Sequence, residues 1–129
     1  MILLDEVRAQ KLIDLARAHY NAELTGTEIR ILRASASSDD PPEPDKDAPR
    51  DEVRAEFLRW LATDPDAMPF IDPKGIRVYG ATIPDALDLE GCTIERILDF
   101  RFCNLRDKMC LLSAITRGLY FITAVRLFF

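Results

Sequence analysis

The chain repeats itself every eleven residues from Gly80 to Ile122, as GATIPDALDLE (80–90), GCTIERILDFR (91–101), FCNLRDKMCLL (102–112) and a fourth row starting at Ser113. The second column of the rows is small, and the fourth, eighth and tenth columns are mostly apolar. The columns are Ala81, Cys92, Cys103 and Ala114; Ile83, Ile94, Leu105 and Thr116; Leu87, Leu98, Met109 and Tyr120; and Leu89, Phe100, Leu111 and Ile122. A fixed period of this kind predicts a stacked array of repeats.

Spacing within each row predicts short strands. The inward candidates form two doublets, the second column with the fourth and the eighth with the tenth, and alternation by two is the period of a strand. A helix would need spacings near 3.6 residues, which the columns do not have. Each row is therefore expected to form two short extended faces separated by corners.

The row starts GATI, GCTI and FCNL, each followed by a second doublet such as LDL (87–89) or LDF (98–100), resemble pentapeptide repeats. The segments RWLATD (59–64) and DPKGIRVYGATI (72–83) extend the resemblance, which covers about 51–122, to bacterial pentapeptide-repeat-like proteins. The spacing departs from a strict five residues at every second step. The resemblance implies a mixed fold class, with N-terminal α-helices followed by a short right-handed quadrilateral β-helix, a pentapeptide-repeat-like solenoid of about two coils over 75–129.

In such a solenoid two rows make one coil, so the resemblance implies that residues 22 apart stack. The implied pairs are Ala81 with Cys103, Cys92 with Ala114, Ile83 with Leu105, Leu89 with Leu111, and Phe100 with Ile122. Cys92 and Cys103 are then expected in the core, on opposite walls, since free cysteine behaves as a small buried hydrophobe. A redox or ligand role for them is disfavoured, because no basic neighbours would lower a thiol pKa.

The residues before the repeat predict helices and a linker. Helical spacing over 5–20 and a capping box from Thr25 to Glu28 ahead of a helix over 26–34 give a helical segment, 1–34. Residues 35–50 are rich in Pro, Ser and Asp and predict a disordered acidic linker, with a docking tail as the less favoured alternative. Residues 51–64 predict a capping helix, whose Phe57, Trp60 and Leu61 would cover Ile76, Val78 and Tyr79 of the first coil.

Two single residues invite functional interpretations that the sequence does not support. His19 is the only histidine, and without named partners it makes neither a metal site nor a catalytic triad. Trp60 could stack on a ligand, but an aromatic residue on the apolar face of a helix usually packs against a core. Both are expected to be structural.

Composition excludes several classes of protein. The net charge is -5, and residues 76–129 carry 7 basic and 6 acidic side chains, so no basic stripe predicts nucleic-acid binding and no acidic exterior predicts a DNA mimic. Three cysteines without a CxxC spacing predict neither disulfides nor a zinc site. The acidic residues Asp5 and Glu6 exclude a signal peptide at the first residues, and a cytoplasmic location is expected.

The sequence offers no catalytic, cofactor-binding or metal-binding residues, so no enzyme and no cofactor are expected. The favoured function is a non-catalytic scaffold or protein-interaction module, with a protein partner on the coil faces. The residues expected to face outward are Arg77, Asp85, Asp88, Glu90, Glu95, Arg96, Arg101 and Arg106. The last coil lacks a cap, which predicts pairing with another chain, self-association, or truncation of a longer protein.

Residues 109–129 leave an alternative open. This segment has the length of a spanning helix and only Arg117 and Arg126 as charges, so a membrane-associated protein is the second hypothesis. Two arginines within a span would cost about 2.5–3.5 kcal/mol each, and the repeat columns continue into the segment. The repeat interpretation is therefore preferred.

Overall fold

The computed structural model describes residues 4–21, 23–42, 44–45, 50–122 and 126–127, with the backbone alone at 121–122 and 126–127. Within these ranges the chain forms three α-helices, one 3-10 turn at Met68–Phe70 and eleven short strands. The helices are α1 (Leu4–Tyr20), α2 (Gly26–Ala36) and α3 (Ala55–Thr63). The strands are β1 (Asp51–Glu52), β2 (Ile76–Tyr79), β3 (Ala81–Ile83), β4 (Leu87–Asp88), β5 (Thr93–Ile94), β6 (Leu98–Arg101), β7 (Asn104–Leu105), β8 (Met109–Cys110), β9 (Ile115–Thr116), β10 (Leu119–Ile122) and β11 (Arg126–Leu127).

The first two helices confirm the sequence interpretation. Helix α2 begins at the predicted capping box, where the Glu28 amide donates to Thr25 Oγ1 at 3.1 Å and the Thr25 amide donates to Glu28 Oε1 at 3.0 Å. These bonds satisfy amide groups that an uncapped helix would leave without partners. Helices α1 and α2 pack against each other. The predicted linker starts later than expected, because α2 continues to Ala36.

The predicted helix over 51–64 is wrong at its start. Asp51 and Glu52 form strand β1, which pairs in parallel with Ala81 and Thr82 of β3. The next amide, that of Val53, donates to the Thr82 carbonyl at 2.9 Å. These residues are hydrogen-bonded at the edge of a sheet, so the helix begins only at Ala55.

The strands form four small parallel sheets. Their orders are β1–β3–β7–β11, β10–β6–β2, β4–β8 and β5–β9. Partners lie 22 residues apart in Ile83 with Leu105 and in Ile94 with Thr116, which is the spacing that the repeat columns predict. The repeat therefore specifies which strands pair, including the predicted pairing of Ile83 with Leu105.

The predicted fold class is nevertheless wrong. The strands are two to four residues long and belong to four separate sheets of two to four strands, not to a continuous right-handed quadrilateral β-helix over 75–129. Helices α2 and α3 pack on these strands, α1 packs on α2, and the fold is a small mixed α/β domain. A period in the sequence identifies residues in equivalent positions, but it does not determine how far hydrogen bonding extends between them.

One strand departs from the 22-residue spacing. Leu98 of β6 pairs with Leu119 of β10, and Phe100 pairs with Phe121, so these partners are 21 apart. The connection before β10 is one residue shorter than the connection before β6. The predicted stacking of Phe100 with Ile122 is therefore wrong, and Tyr120 does not take the inward position of its column.

Each row begins with a left-handed residue. Gly80, Gly91, Phe102 and Ser113, the first column of the repeat, have φ angles of 67°, 70°, 58° and 59°. Glycine adopts this conformation without steric cost, whereas a residue with a Cβ atom pays roughly 1–2 kcal/mol. The first column therefore marks the turn that starts each row.

The core lies between the helices and the inward faces of the strands. Phe57, Leu61, Ile76, Val78 and Phe100 are all buried in one continuous cluster. Helix α3 packs on β4 and β5, while α2 packs on β2. The expectation that α3 would cover β2 thus needs correction, because β4 and β5 are the main strands under α3.

Residues 109–122 belong to strands and turns, with β8, β9 and β10 in this range. Across the described part of the chain, none of the helices has the length and apolar character that crossing a membrane requires. The alternative of a spanning helix over 109–129 therefore finds no support in the residues that the structure describes.

Candidate functional site: a basic face on the sheet β2–β6–β10

The outer face of the three-stranded sheet carries a group of polar and aromatic side chains. Alternation along β2 directs Ile76 and Val78 to the core and Arg77 and Tyr79 to the other side. The register places Arg77 beside Asp99 and Tyr79 beside Arg101, and Tyr120 of β10 pairs with Asp99. Three strands thus bring five side chains to one surface: Arg77, Tyr79, Asp99, Arg101 and Tyr120.

Asp99 holds this group together. Its Oδ1 accepts a hydrogen bond from Arg101 Nε at 3.1 Å, and its Oδ2 lies 3.4 Å from the Tyr79 hydroxyl. The Arg101 guanidinium also lies over the Tyr79 ring, 5.0 Å from its centroid. The hydrogen bond to Asp99 raises the pKa of Arg101, and burial, followed by the Asp99 charge, raises the pKa of Tyr79. These residues form one coupled cluster.

Arg77 is the most deeply buried cation of this surface, with 2% of its side chain exposed. Its Nη1 donates to the Asp39 carbonyl at 2.6 Å and to Asp40 Oδ1 at 3.2 Å. The segment that was predicted to be a linker therefore lies across the strand and covers Arg77. Burial of an arginine is costly without such partners, and the segment supplies them.

Further cations hold the same segment. Lys74 Nζ donates to the Ser38 carbonyl at 2.6 Å, and Arg50 Nη1 donates to the Asp45 carbonyl at 3.0 Å. Pro44 lies close to Gly80, where an added Cβ atom would come within 2.9 Å of its ring. The described residues 37–42 and 44–45 contain neither helix nor strand, as predicted, but they are attached to the sheet.

Two clefts flank the contact between Asp40 and Arg77. The larger has a volume of about 430 Å³ and lies between α2 and the segment, with Arg30, Arg33, Tyr79 and prolines in its wall. The smaller, about 270 Å³, is lined by Lys74, Arg77, Ile97, Asp99, Arg101, Tyr120 and Asp40. We call the five cations of these clefts the basic face: Arg30, Arg33, Lys74, Arg77 and Arg101.

The sequence interpretation located this surface only in part. Of the residues expected to face outward, Asp85, Asp88, Glu90, Glu95 and Arg106 are exposed, and Arg96 and Arg101 are half-buried. Arg77 is buried under the segment instead. The 22-residue spacing would have placed Arg77 beside Asp99 and Tyr79 beside Arg101, so the basic face could have been found by applying the register to charged residues as well as to apolar ones.

The cysteines are placed differently from one another. Cys103 is fully buried and its Sγ lies 3.0 Å from the Val78 carbonyl, as expected for a core residue. Burial raises the pKa of its thiol, which disfavours the reactive thiolate. Cys92 is only half-buried, with its Sγ 3.7 Å from the Glu90 carbonyl. The expectation of two core cysteines holds for Cys103 alone.

Asp88, Glu90 and Cys110 bring one ligand atom each within 4.8 Å of one another. Both carboxylates are exposed, and Asp88 Oδ1 accepts a hydrogen bond from the Glu90 amide at 3.0 Å. An exposed acidic pair with this local bond is ordinary on a protein surface, so the trio is not assigned as a metal centre.

A second charged cluster joins the three helices. Glu28 is completely buried and accepts hydrogen bonds from Arg54 Nε at 2.8 Å and Nη2 at 3.0 Å, and Arg54 lies 4.5 Å from the centroid of the Tyr20 ring. Trp60 packs against His19 with 5.4 Å between ring centroids. Trp60 is buried and His19 is exposed, and both take part in helix packing.

Comparison of the chain with protein-family models, with curated proteins and with solved structures finds no match. The resemblance to pentapeptide-repeat-like proteins therefore rests on the sequence pattern of 51–122 and stays a prediction.

Proposed function

We propose that this chain is a non-catalytic protein-interaction module that binds its partner on the basic face. The observation that carries the proposal is the contact of Arg77 with Asp39 and Asp40, because this surface already binds a polypeptide segment in the folded chain. Arginine and tyrosine, the residue types gathered there, are enriched at the energetic centres of protein interfaces.

The chemistry of the face favours binding over catalysis. Catalysis needs a nucleophile or an acid–base pair that converges on a reacting atom. Asp99 is engaged by Arg101 and Tyr79, and Arg77 is engaged by the segment. The buried thiol of Cys103 has a raised pKa. The described residues of the face are therefore suited to holding a ligand by charge and hydrogen bonds.

We propose a cytoplasmic location, since all three thiols are free.

The test is differential capture of partners. Immobilised wild-type chain and the Arg33→Glu/Lys74→Glu variant, whose two positions are exposed, are incubated with a lysate of the organism that encodes the chain, and retained proteins are quantified by mass spectrometry. The control is Arg17→Glu/Arg59→Glu, which makes the same change of charge at exposed positions on α1 and α3. A partner of the basic face is retained by wild type and by the control and is lost with the face variant. Identical retention on all three proteins would contradict the proposal.

A further inference from the structure

We infer that the ligand of the basic face is an acidic, proline-rich segment in an extended conformation, and that the described residues 37–42 and 44–45 of the chain occupy the site in its place. This inference rests on the proposed function and names the chemistry of the partner. It follows from which atoms of the segment the face binds, from the charge of the face, and from the space that the segment leaves.

The face binds mainly the backbone of the segment. Lys74 and Arg77 of the face donate to the carbonyls of Ser38 and Asp39, and Arg50, which follows the segment in the chain, donates to the carbonyl of Asp45. Donors that bind carbonyls select an extended chain whose acceptors are free. Proline-rich segments meet this requirement, because they adopt an extended helix without internal hydrogen bonds and lose little entropy on binding. The Tyr79 ring and three prolines line the larger cleft.

The charge of the face selects an acidic ligand. Its two clefts contain five cations, and Asp99 is the carboxylate that the sheet itself contributes; the other two carboxylates in the lining, Asp39 and Asp40, belong to the segment. Without the segment the described face would thus present five positive charges and one negative charge. A ligand with several carboxylates complements this potential and is guided to it at low salt.

The internal segment fills the site loosely. The Asp40 side chain, which accepts from the buried Arg77, is 70% exposed, so the site covers this carboxylate only in part. Clefts of about 430 and 270 Å³ remain on the two sides of this contact. The larger is within the size range of ligand sites. A partner with larger side chains between its prolines would fill this space and displace the segment.

Tethering determines how such displacement can be measured. A segment on a short connection acts at an effective concentration in the millimolar range, so a free peptide must compete with it. Weakening the internal segment should therefore tighten the binding of the same sequence added from outside. This gain distinguishes competition for one site from binding elsewhere on the protein.

The experiment measures fluorescence anisotropy with a labelled peptide SSDDPPEPD, the sequence of residues 37–45. It is titrated with wild type, with Asp39→Ala/Asp40→Ala, and with the same variant carrying Lys74→Glu. Control peptides are SSNNPPQPN, which lacks the charges, and SSDDAAEAD, which lacks the prolines. Circular dichroism checks the fold of each protein, and Lys74 is exposed, so its substitution leaves the core intact.

We expect the Asp39→Ala/Asp40→Ala variant to bind the acidic peptide about tenfold more tightly than wild type, because its internal segment loses the Asp40 carboxylate bond to Arg77. Lys74→Glu should remove this gain, and both control peptides should bind more weakly. Equal binding of the neutral peptide would overturn the acidic specificity, and equal binding of the alanine peptide would overturn the role of the prolines. Absence of peptide binding alongside successful partner capture would overturn the inference and leave the proposed function standing. Failure of both experiments would overturn both.

Discussion

Two clusters of the same composition sit in different parts of the molecule. Each contains a buried carboxylate, an arginine and a tyrosine: Glu28, Arg54 and Tyr20 among the helices, and Asp99, Arg101 and Tyr79 on the sheet. In both, the guanidinium lies over the tyrosine ring, at 4.5 Å in the helical cluster and 5.0 Å on the sheet.

The two clusters differ in how completely the carboxylate is engaged. Glu28 accepts three hydrogen bonds between 2.8 and 3.0 Å, one of them from the amide that it caps. Asp99 accepts one at 3.1 Å and a longer one from Tyr79, and it faces an open cleft. The same three kinds of side chain are therefore fully engaged among the helices and only partly engaged on the sheet, where we propose that they take part in binding. Four substitutions test this difference.

The largest effect is expected from Glu28→Ala. The change removes a buried carboxylate that joins α2 to Arg54 and caps the helix, and we expect it to lower the free energy of unfolding by about 3 kcal/mol. The value is at the lower end for a broken buried pair because the Arg54 side chain is 45% exposed and can be hydrated. Urea denaturation measures it. Glu6→Ala, at an exposed position in α1, is the control and should change the stability by less than about 0.5 kcal/mol.

Asp99→Asn should lower the free energy of unfolding by less, about 1–2 kcal/mol, because the amide keeps the shape of the side chain and loses its charge-assisted bond. It should also tighten the binding of the acidic peptide in the Asp39→Ala/Asp40→Ala background, since it removes the negative charge that the sheet contributes to the face. Glu28→Gln is the matched change in the helical cluster and should leave peptide affinity unaltered. If both changes altered affinity equally, the functional distinction between the clusters would be wrong.

Tyr20→Phe should change stability at neutral pH by less than about 1 kcal/mol, with stabilisation the expected direction. The Tyr20 hydroxyl is buried and finds no hydrogen-bond partner in the described structure, so removing it abolishes a desolvation cost.

The clearer effect of this substitution is at alkaline pH. Burial raises the pKa of Tyr20 to about 12. The unfolded state ionises near the ordinary tyrosine pKa of about 10, while the folded state keeps its proton, so wild type loses stability between these two values. The Tyr20→Phe variant should lose less stability over this pH range. Urea midpoints at about pH 9 and pH 11 measure the difference, and equal losses in both proteins would refute it.

Tyr79→Phe should have the smallest effect, roughly 0.5 kcal/mol, because its bond to Asp99 is long at 3.4 Å and the ring remains under Arg101. The pKa of Tyr79 is raised by burial, so this variant should also lose less stability than wild type above pH 10. Thermal unfolding at neutral and alkaline pH compares it with Tyr20→Phe. If Tyr79→Phe reduced the loss of stability at alkaline pH more than Tyr20→Phe does, the expected order of the two substitutions would be wrong.

The sequence predicted the features that depend on near neighbours or on a period that is repeated along the chain. The capping box from Thr25 to Glu28 and the pairing of Ile83 with Leu105 both appear in the structure. The first depends on residues three apart, and the second on a period that four rows repeat. Both features are predictable, because the capping box lies within one helical turn and the pairing is specified by several rows of the repeat.

The features that failed depend on contacts between distant segments. Asp51 and Glu52 are helix-compatible residues, but pairing with β3 makes them a strand. Residues 37–45 have the composition of a linker, but Lys74 and Arg77, more than twenty residues away, bind the Ser38 and Asp39 carbonyls and attach these two residues to the sheet. The fold class failed for a related reason, because the columns do not encode how the small sheets and the three helices assemble. The candidate site lies at these unpredicted contacts.

The shortened connection before β10 determines which residue of that strand reaches the outer face of the three-stranded sheet. Two residues separate Thr116 from Leu119, whereas three separate Ile94 from Leu98. Because side chains alternate along a strand, this missing residue sets the phase of β10 and puts Tyr120 in the cleft beside Asp99. If the connection kept three residues, as it does before β6, Leu119 would belong to the connection and Tyr120 would pair with Leu98 on the inward side. The length of this connection thus decides that Tyr120, and not its neighbour Leu119, reaches the outer face of the sheet.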